Sequence, residues 1–148
     1  MTHLSTHIVV DGAEKAAAWY AINFGAVEVG RIPVPGGKFM QIEMRFGEDT
    51  VMIADEFPAM GVRGPKSLGG SPFAFHLLTD DVDEAYSRVI KNGATAAQEP
   101  ADMFWGERFV QIIDPFGHRW NLAKRIRDVS MKEIASAAWV AFGGAQTK

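Results

Sequence analysis

Apolar and polar residues alternate along residues 39–46, as they do in a half-buried strand. One face is purely apolar, with Met40, Ile42, Met44 and Phe46, and the other is mixed, with Phe39, Gln41, Glu43 and Arg45. The apolar face is predicted to pack on helices. On the mixed face, large aromatic side chains lie beside single polar groups, which favours a cavity wall over a solvated surface. Phe109 and Gln111 repeat this mixed pattern in the second half of the chain.

Three segments have the spacing of apolar residues that is typical of an amphipathic helix: Ala13 to Phe24, Val82 to Lys91, and Met131 to Phe142. Gly25 follows the first segment and is predicted to end it, because glycine accepts the left-handed conformation of many helix ends. Asp81 precedes the second segment and Asp128-Val129-Ser130 precedes the third, and both are predicted to cap the helix N-terminus.

The chain repeats itself, since Phe24-Gly25-Ala26 returns as Asn92-Gly93-Ala94 and Phe46-Gly47 returns as Phe116-Gly117. Four strands are predicted in each half: Leu4 to Val10, Val27 to Ile32, Phe39 to Phe46 and Thr50 to Ala54, then Phe73 to Leu78, Thr95 to Gln98, Arg108 to Ile113 and His118 to Ala123. The prediction is an α+β fold in which two tandem βαβββ modules form a curved mixed sheet around a cavity. Residues 1–148 make one domain, with module one at 4–55, a linker at 56–71, module two at 72–124 and a C-terminal helix at 128–142.

Composition excludes several classes of function. The chain of 148 residues has no cysteine, which removes disulfides, thiolate metal sites and cysteine nucleophiles. Its net charge of −3 argues against nucleic acid as a partner. The N-terminus lacks the pattern of a signal peptide, and no run of apolar residues is long enough for a membrane helix, so we expect a cytoplasmic protein with no membrane partner.

Several motifs together resemble one family. They include Ala16-Ala17-Ala18-Trp19-Tyr20, Gly47-Glu48-Asp49-Thr50-Val51-Met52-Ile53-Ala54-Asp55, Leu68-Gly69-Gly70-Ser71-Pro72, Phe104-Trp105-Gly106-Glu107-Arg108 and Asp114-Pro115-Phe116-Gly117-His118-Arg119-Trp120. The chain is similar to the glyoxalase/bleomycin-resistance group of the vicinal-oxygen-chelate superfamily, and within it to the PhnB-like branch. The resemblance implies a homodimer with a small-molecule site, but this fold hosts many different activities.

Metal-dependent members of that family place one ligand on the first strand and one on the last strand of each module. Aligned with this sequence, those positions are Ser5, Ile53, Ala74 and Asn121. None of these is a good ligand for a divalent metal, so neither a metal site nor a cofactor is expected.

His7 and His76 lie two residues after the aligned positions Ser5 and Ala74, and Glu43 is predicted to face the same side. The three could form a displaced divalent-metal site, or a catalytic acid–base group in which a carboxylate orients an imidazole. They could equally be satisfied polar residues that hold the sheet. Glu107 shares its face with Phe109 and Gln111, and is either a second carboxylate in the cavity or a solvated side chain.

The proposed ligand contacts are Phe39, Gln41, Phe104, Trp105, Phe109, Gln111 and Asn121. Trp105 would stack on a planar ligand, or else form a dimer contact or fill the core, whereas Trp120 is expected in the core. The favoured function is metal-free binding of a small organic molecule in an aromatic-lined cavity. The alternative is an enzyme of the lyase or isomerase type that uses His7, Glu43 and His76.

Overall fold

A computed structural model describes residues 1–146 of the chain. The strands are β1 Thr6–Val10, β2 Val27–Val34, β3 Lys38–Phe46, β4 Asp49–Asp55, β5 Ala74–Leu78, β6 Thr95–Asp102, β7 Glu107–Ile113 and β8 Arg119–Arg125. The α-helices are α1 Ala13–Phe24, α2 Pro65–Leu68, α3 Val82–Lys91 and α4 Met131–Ala141, and a short 3-10 helix spans Pro58–Met60. None of the helices among these residues is long and apolar enough to cross a membrane.

The strands form two sheets of four, with the orders β1-β4-β3-β2 and β5-β8-β7-β6. In each sheet the first and last strands of a module run parallel and the other neighbours run antiparallel. The two βαβββ modules are therefore confirmed. Each module builds its own sheet, and within residues 1–146 no hydrogen-bonded strand pair joins the two.

The predicted helix signals are also confirmed. Gly25 ends α1 with a φ of 69°, in the left-handed region. The side chain of Asp81 accepts a hydrogen bond from the backbone N–H of Glu84, and Ser130 does the same for Glu133. Strand ends were less accurate, since β1 begins at Thr6 rather than Leu4, and β6 continues to Asp102 instead of ending at Gln98.

The two modules share one hydrophobic core, formed by the helices and the sheet faces that cover them. Asp114, at the turn between β7 and β8, joins the modules through a buried carboxylate. It accepts hydrogen bonds from the Tyr20 hydroxyl on α1 at 2.5 Å and from the Trp120 indole at 2.9 Å. The ring of Trp120 is only 1% exposed, as predicted for a core residue.

One prediction about β3 is wrong. The register of the β2–β3 pair shifts between Ile32 and Pro33, which reverses the facing of side chains at the start of β3. Phe39 therefore packs against the core, under the guanidinium of Arg31, which also reaches Glu14 on α1. Phe39 is not part of the mixed face, and Met40, predicted to be in the core, is 51% exposed.

Tyr20 gives this core a dependence on alkaline pH. Its pKa is raised well above the ordinary value of 10.0, mainly because burial disfavours the phenolate and also because the charge of Asp114 lies beside it. The stability contributed by the neutral phenol is complete below pH 10 and is lost as the pH rises towards the folded-state pKa, by about 1.4 kcal/mol per pH unit. Urea unfolding between pH 8 and pH 11 should show this loss, and Tyr20→Phe should lose measurably less stability over the same range. Equal losses in the two proteins would contradict the assignment.

Candidate functional site

The face of the second sheet that points away from α3 carries a continuous set of polar and aromatic side chains. We call it the open face of the second sheet, and it comprises His76 from β5, Glu107, Phe109 and Gln111 from β7, and Arg119 and Asn121 from β8. These residues alternate with the buried Val110, Ile112, Trp120 and Leu122, which face the core. The alternation along two regular strands thus fixes which side chains are presented together.

Glu107 is the centre of one end of this face. Its Oε2 lies 3.1 Å from Nε2 of His76, and its Oε1 accepts a hydrogen bond of 2.7 Å from the indole Nε1 of Trp105. The side chain of Glu107 is 12% exposed and that of His76 is 43% exposed. A nearly buried carboxylate therefore holds an accessible imidazole.

A second series of hydrogen bonds connects Arg119 to His76. Arg119 donates to Oε1 of Gln111 at 2.6 Å, and Nε2 of Gln111 donates to Oδ1 of Asn121 at 2.9 Å. Nδ2 of Asn121 lies 3.4 Å from Nδ1 of His76, a longer contact. The polar groups of the open face are thus connected from Arg119 to Trp105.

The two ends of this network determine the tautomer of His76. A guanidinium can only donate, so Gln111 must present its oxygen to Arg119 and its NH2 group to Asn121. Asn121 in turn presents its NH2 group to Nδ1 of His76, which must accept. The proton of a neutral His76 is then on Nε2, where it donates to the carboxylate of Glu107. The accessible imidazole keeps a basic lone pair on Nδ1.

Aromatic rings form the apolar part of the same site. The rings of Trp105 and Phe109 meet edge to face at 5.3 Å between centroids, and Trp105 meets Phe104 in the same way at 5.0 Å. The imidazole of His76 lies 6.3 Å from the ring of Phe109. Phe109 is 8% exposed, so it forms the floor of the face and Trp105 forms one wall.

Gly106 positions the Trp105 loop. Its carbonyl accepts hydrogen bonds from the backbone N–H groups of Ile126 and Arg127, at 2.9 and 3.3 Å, and its own N–H donates to Met103. The φ of Gly106 is +95°, and a Cβ atom there would lie 2.5 Å from the carbonyl oxygen of Arg127. Only glycine fits this crossing, so the site depends on the segment that follows β8.

The candidates from the first module lie on the other sheet. Met52 on β4 pairs with His7 on one side and with Glu43 on the other, so His7 and Glu43 are two strand spacings apart, about 10 Å. Gln41 lies on the same face and is half-buried. Among residues 1–146 no hydrogen bond joins Glu43 to His76, and the carboxylate that contacts His76 is Glu107.

The side chains do not fit the metal site that the resemblance implies. Ile53, aligned with a ligand position, is fully buried between Ile8 and Ile42, because its side of β4 packs on the helices. On the faces that point away from the helices, Met52 of β4 lies beside His7 and Asn121 of β8 lies beside His76. Neither of these two positions on β4 and β8 is a carboxylate. Within residues 1–146 no three His, Cys, Asp or Glu side chains are grouped closely enough to hold a metal ion.

A cavity of considerable volume lies elsewhere among the described residues. It measures about 1030 Å³ and is bounded by α4 and Phe104, with Trp139 as its largest α4 side chain. A cavity of about 340 Å³ lies between β1 and the linker, beside His7 and His118. We consider the open face of the second sheet the better candidate site, because its polar side chains form a connected hydrogen-bond network around a nearly buried carboxylate, whereas α4 has no buried residue of its own.

Glu107 and Arg119 belong to the candidate site but are not among the ligand contacts predicted from the sequence. Glu107 lies an even number of residues from Gln111 on β7, and Arg119 lies two residues from Asn121 on β8. The alternation of side chains along each strand therefore places both on this face. What the sequence could not give was their hydrogen-bond partners, because β5 and β7 are separated by a long stretch of chain and are brought together only through β8.

Comparison with known proteins gives a consistent family. The model of the Glyoxalase/Bleomycin resistance protein/Dioxygenase superfamily matches residues 1–122. An uncharacterized protein of Mycobacterium tuberculosis is 43% identical over 137 residues, which cover 90% of this chain and 81% of that protein. A relative from Mycobacterium bovis has the same identity and covers 90% of each chain.

Solved structures show the same fold at low identity. A glyoxalase family protein from Bacillus cereus has a TM-score of 0.69 at 17% identity, over 86% of this chain and 95% of that one. A second protein of that organism, described as a PhnB protein and putative 3-demethylubiquinone-9 3-methyltransferase, has a TM-score of 0.65 at 13% identity, over 83% and 99% of the two chains. At these identities the likeness extends to the fold alone.

Proposed function

Because this chain belongs to the Glyoxalase/Bleomycin resistance protein/Dioxygenase superfamily, we propose that it binds a small planar organic molecule on the open face of its second sheet. Binding needs no divalent metal, and a second copy of the chain encloses the ligand. The observation that carries the proposal is the network from Trp105 through Glu107 and His76 to Asn121, laid over the ring of Phe109.

The chemistry of this face suits a ligand better than solvent. A carboxylate that is almost fully buried needs hydrogen-bond partners, and Glu107 has two. His76 nevertheless leaves Nδ1 with only a long contact to Asn121, so a ligand hydroxyl or N–H group can take that acceptor. Trp105, which is half-buried and meets the nearly buried Phe109 edge to face, offers an aromatic surface to a flat ring. A planar molecule with one polar edge satisfies both parts of the site.

The proposal of a homodimer is supported by the exposed apolar surface of the first module. Val27 and Val29, on the edge strand β2, are 52% and 53% exposed, and the neighbouring Ile32 is also exposed. An unpaired strand edge with apolar side chains is a surface that proteins usually cover. A second copy related by a two-fold axis would cover it and would convert the open face into an enclosed cavity. The lack of cysteine suits the cytoplasm as the place of action.

The His76–Glu107 pair supports a second candidate, an acid–base enzyme of the lyase or isomerase type. Nδ1 of His76 would take a proton from the ligand, and Glu107 would stabilise the imidazolium through Nε2. The two candidates differ in one observable. An enzyme exchanges a carbon-bound hydrogen of its ligand with solvent deuterium, and a binding protein does not.

The proposal is tested by comparing two tryptophans that border different cavities. Titration calorimetry with the neutral probe 1-naphthamide should show binding to the full-length protein. Trp105→Ala should weaken the affinity for the probe about tenfold, because the naphthalene ring loses its contact with the indole. Trp139→Ala, beside the larger cavity at α4, should leave the affinity unchanged. Loss of binding in Trp139→Ala alone would place the site at α4 and contradict the proposal.

A further inference from the structure

Arg119 is bonded to the network but has no charged partner. Its one side-chain hydrogen bond goes to the neutral Gln111, although a guanidinium carries five N–H donors. Within the described residues, Arg31, Arg88 and Arg108 each form ion pairs with carboxylates, whereas Arg119 shares the lack of one with Arg45, Arg63, Arg125 and Arg127. Among residues 1–146, no carboxylate forms an ion pair with Arg119.

The carboxylate at the opposite end of the network is already hydrogen-bonded. Both oxygens of Glu107 accept hydrogen bonds, one from Trp105 and one from His76, so this end has little to offer a ligand cation. The guanidinium of Arg119 is half-buried and is held in place by Gln111. Arg125 shares the face at the other end of β8, but it is exposed and makes no side-chain hydrogen bond within the described residues. Arg119 is therefore the better-positioned cation.

The spacing suits a compact molecule. Gln111, which Arg119 contacts, lies two residues along β7 from Phe109, a separation of about 7 Å between side chains on the same face. A fused-ring system beside Trp105 and Phe109 spans a comparable length, so we expect a substituent attached directly to the ring to lie near Gln111 and the guanidinium that it contacts.

We propose that the ligand of this site is a planar organic anion, whose carboxylate or phosphate group binds Arg119 while its ring packs on Trp105. This inference rests on the proposed function and adds the charge of the ligand to it. A carboxylate or phosphate accepts two parallel hydrogen bonds from a guanidinium. An anionic group of the ligand would therefore give Arg119 the charged partner that it lacks within residues 1–146. The amide of Gln111 then serves to hold the guanidinium in position.

The test compares three probes that share the naphthalene ring: 1-naphthoate, 1-naphthyl phosphate and the neutral 1-naphthamide. Calorimetry on the wild-type protein should show one or both anions binding at least roughly tenfold more tightly than the amide, because a charge-assisted hydrogen bond replaces a neutral one. The order of the two anions shows whether a carboxylate or a phosphate fits. Arg119→Gln should abolish the preference for the anions over the amide, and Arg125→Gln, the same substitution on the same strand, should keep it.

The outcomes separate this inference from the function on which it rests. Equal binding of amide and anions, or a preference that survives Arg119→Gln, would overturn the anionic ligand and leave the binding site standing. Failure of all three probes to bind would instead overturn the proposed function. Circular dichroism and the thermal midpoint of each variant show that the fold is intact, so that a loss of binding is assigned to the side chain.

Discussion

Replacing Asp114 with alanine is expected to lower the free energy of unfolding by about 4 kcal/mol, since the substitution leaves several buried donors without an acceptor. The Asp114 carboxylate is 4% exposed and accepts from the Tyr20 hydroxyl, the Trp120 indole and the backbone N–H groups of Phe116 and His118. An unsatisfied buried donor costs about 1–3 kcal/mol, and partial relaxation keeps the total below the sum of four.

Urea unfolding monitored by circular dichroism measures this loss. Asp128→Ala is the matched control, because Asp128 is exposed and its side chain accepts no hydrogen bond within the described residues. We expect the control to lie within about 0.5 kcal/mol of the wild type. A loss of less than 1 kcal/mol in Asp114→Ala would show that the carboxylate does not hold the two modules together.

Gly106→Ala is expected to lower the free energy of unfolding by about 3 kcal/mol and to disturb the Trp105 site as well. Two separate penalties act at this residue. The φ of +95° is one that an alanine rarely adopts, and the added Cβ would lie 2.5 Å from the Arg127 carbonyl oxygen and 3.0 Å from Cγ2 of Val129. The segment after β8 must then move away from the loop that carries Trp105.

Gly36→Ala separates these two penalties. Gly36 has a similar φ of +91°, but a Cβ there meets no atom within 4 Å. This control should cost only about 1 kcal/mol, from backbone strain alone. Probe binding should fall in Gly106→Ala and remain in Gly36→Ala. If the two variants lose equal stability, the close approach of the Arg127 carbonyl is not a constraint on the loop.

Much of the fold follows from local patterns in the sequence. The bounds of α1 and α3 follow from apolar spacing and from the residues that end or cap them, all of which act within one or two helical turns. The shift in register at the start of β3 does not, because a bulge depends on how β2 pairs with it. That shift moved Phe39 from the predicted site into the core.

Hydrogen bonds between residues that are far apart in the sequence could not be predicted from local patterns either. Asp55 closes the N-terminus of α1, accepting from the backbone N–H groups of Gly12 and Ala13, yet it lies more than 40 residues away from them in sequence. Glu107 and His76 are 31 residues apart and meet through β8. The alternation of side chains along β7 and β8 predicts which residues share the face of the site. The identity of the carboxylate that contacts His76 depends on the order of the strands in the sheet.

The central claim is that ligands occupy the open face of the second sheet, and a two-dimensional ¹H–¹⁵N NMR titration tests it most directly. The indole N–H groups of the four tryptophans report on different places: Trp19 on α1, Trp105 at the proposed site, Trp120 in the core and Trp139 beside the cavity at α4. On addition of 1-naphthoate, the Trp105 indole and the His76 ring signals should shift together, and the Trp139 signal should stay in place. A shift of Trp139 with Trp105 and His76 unmoved would contradict the account.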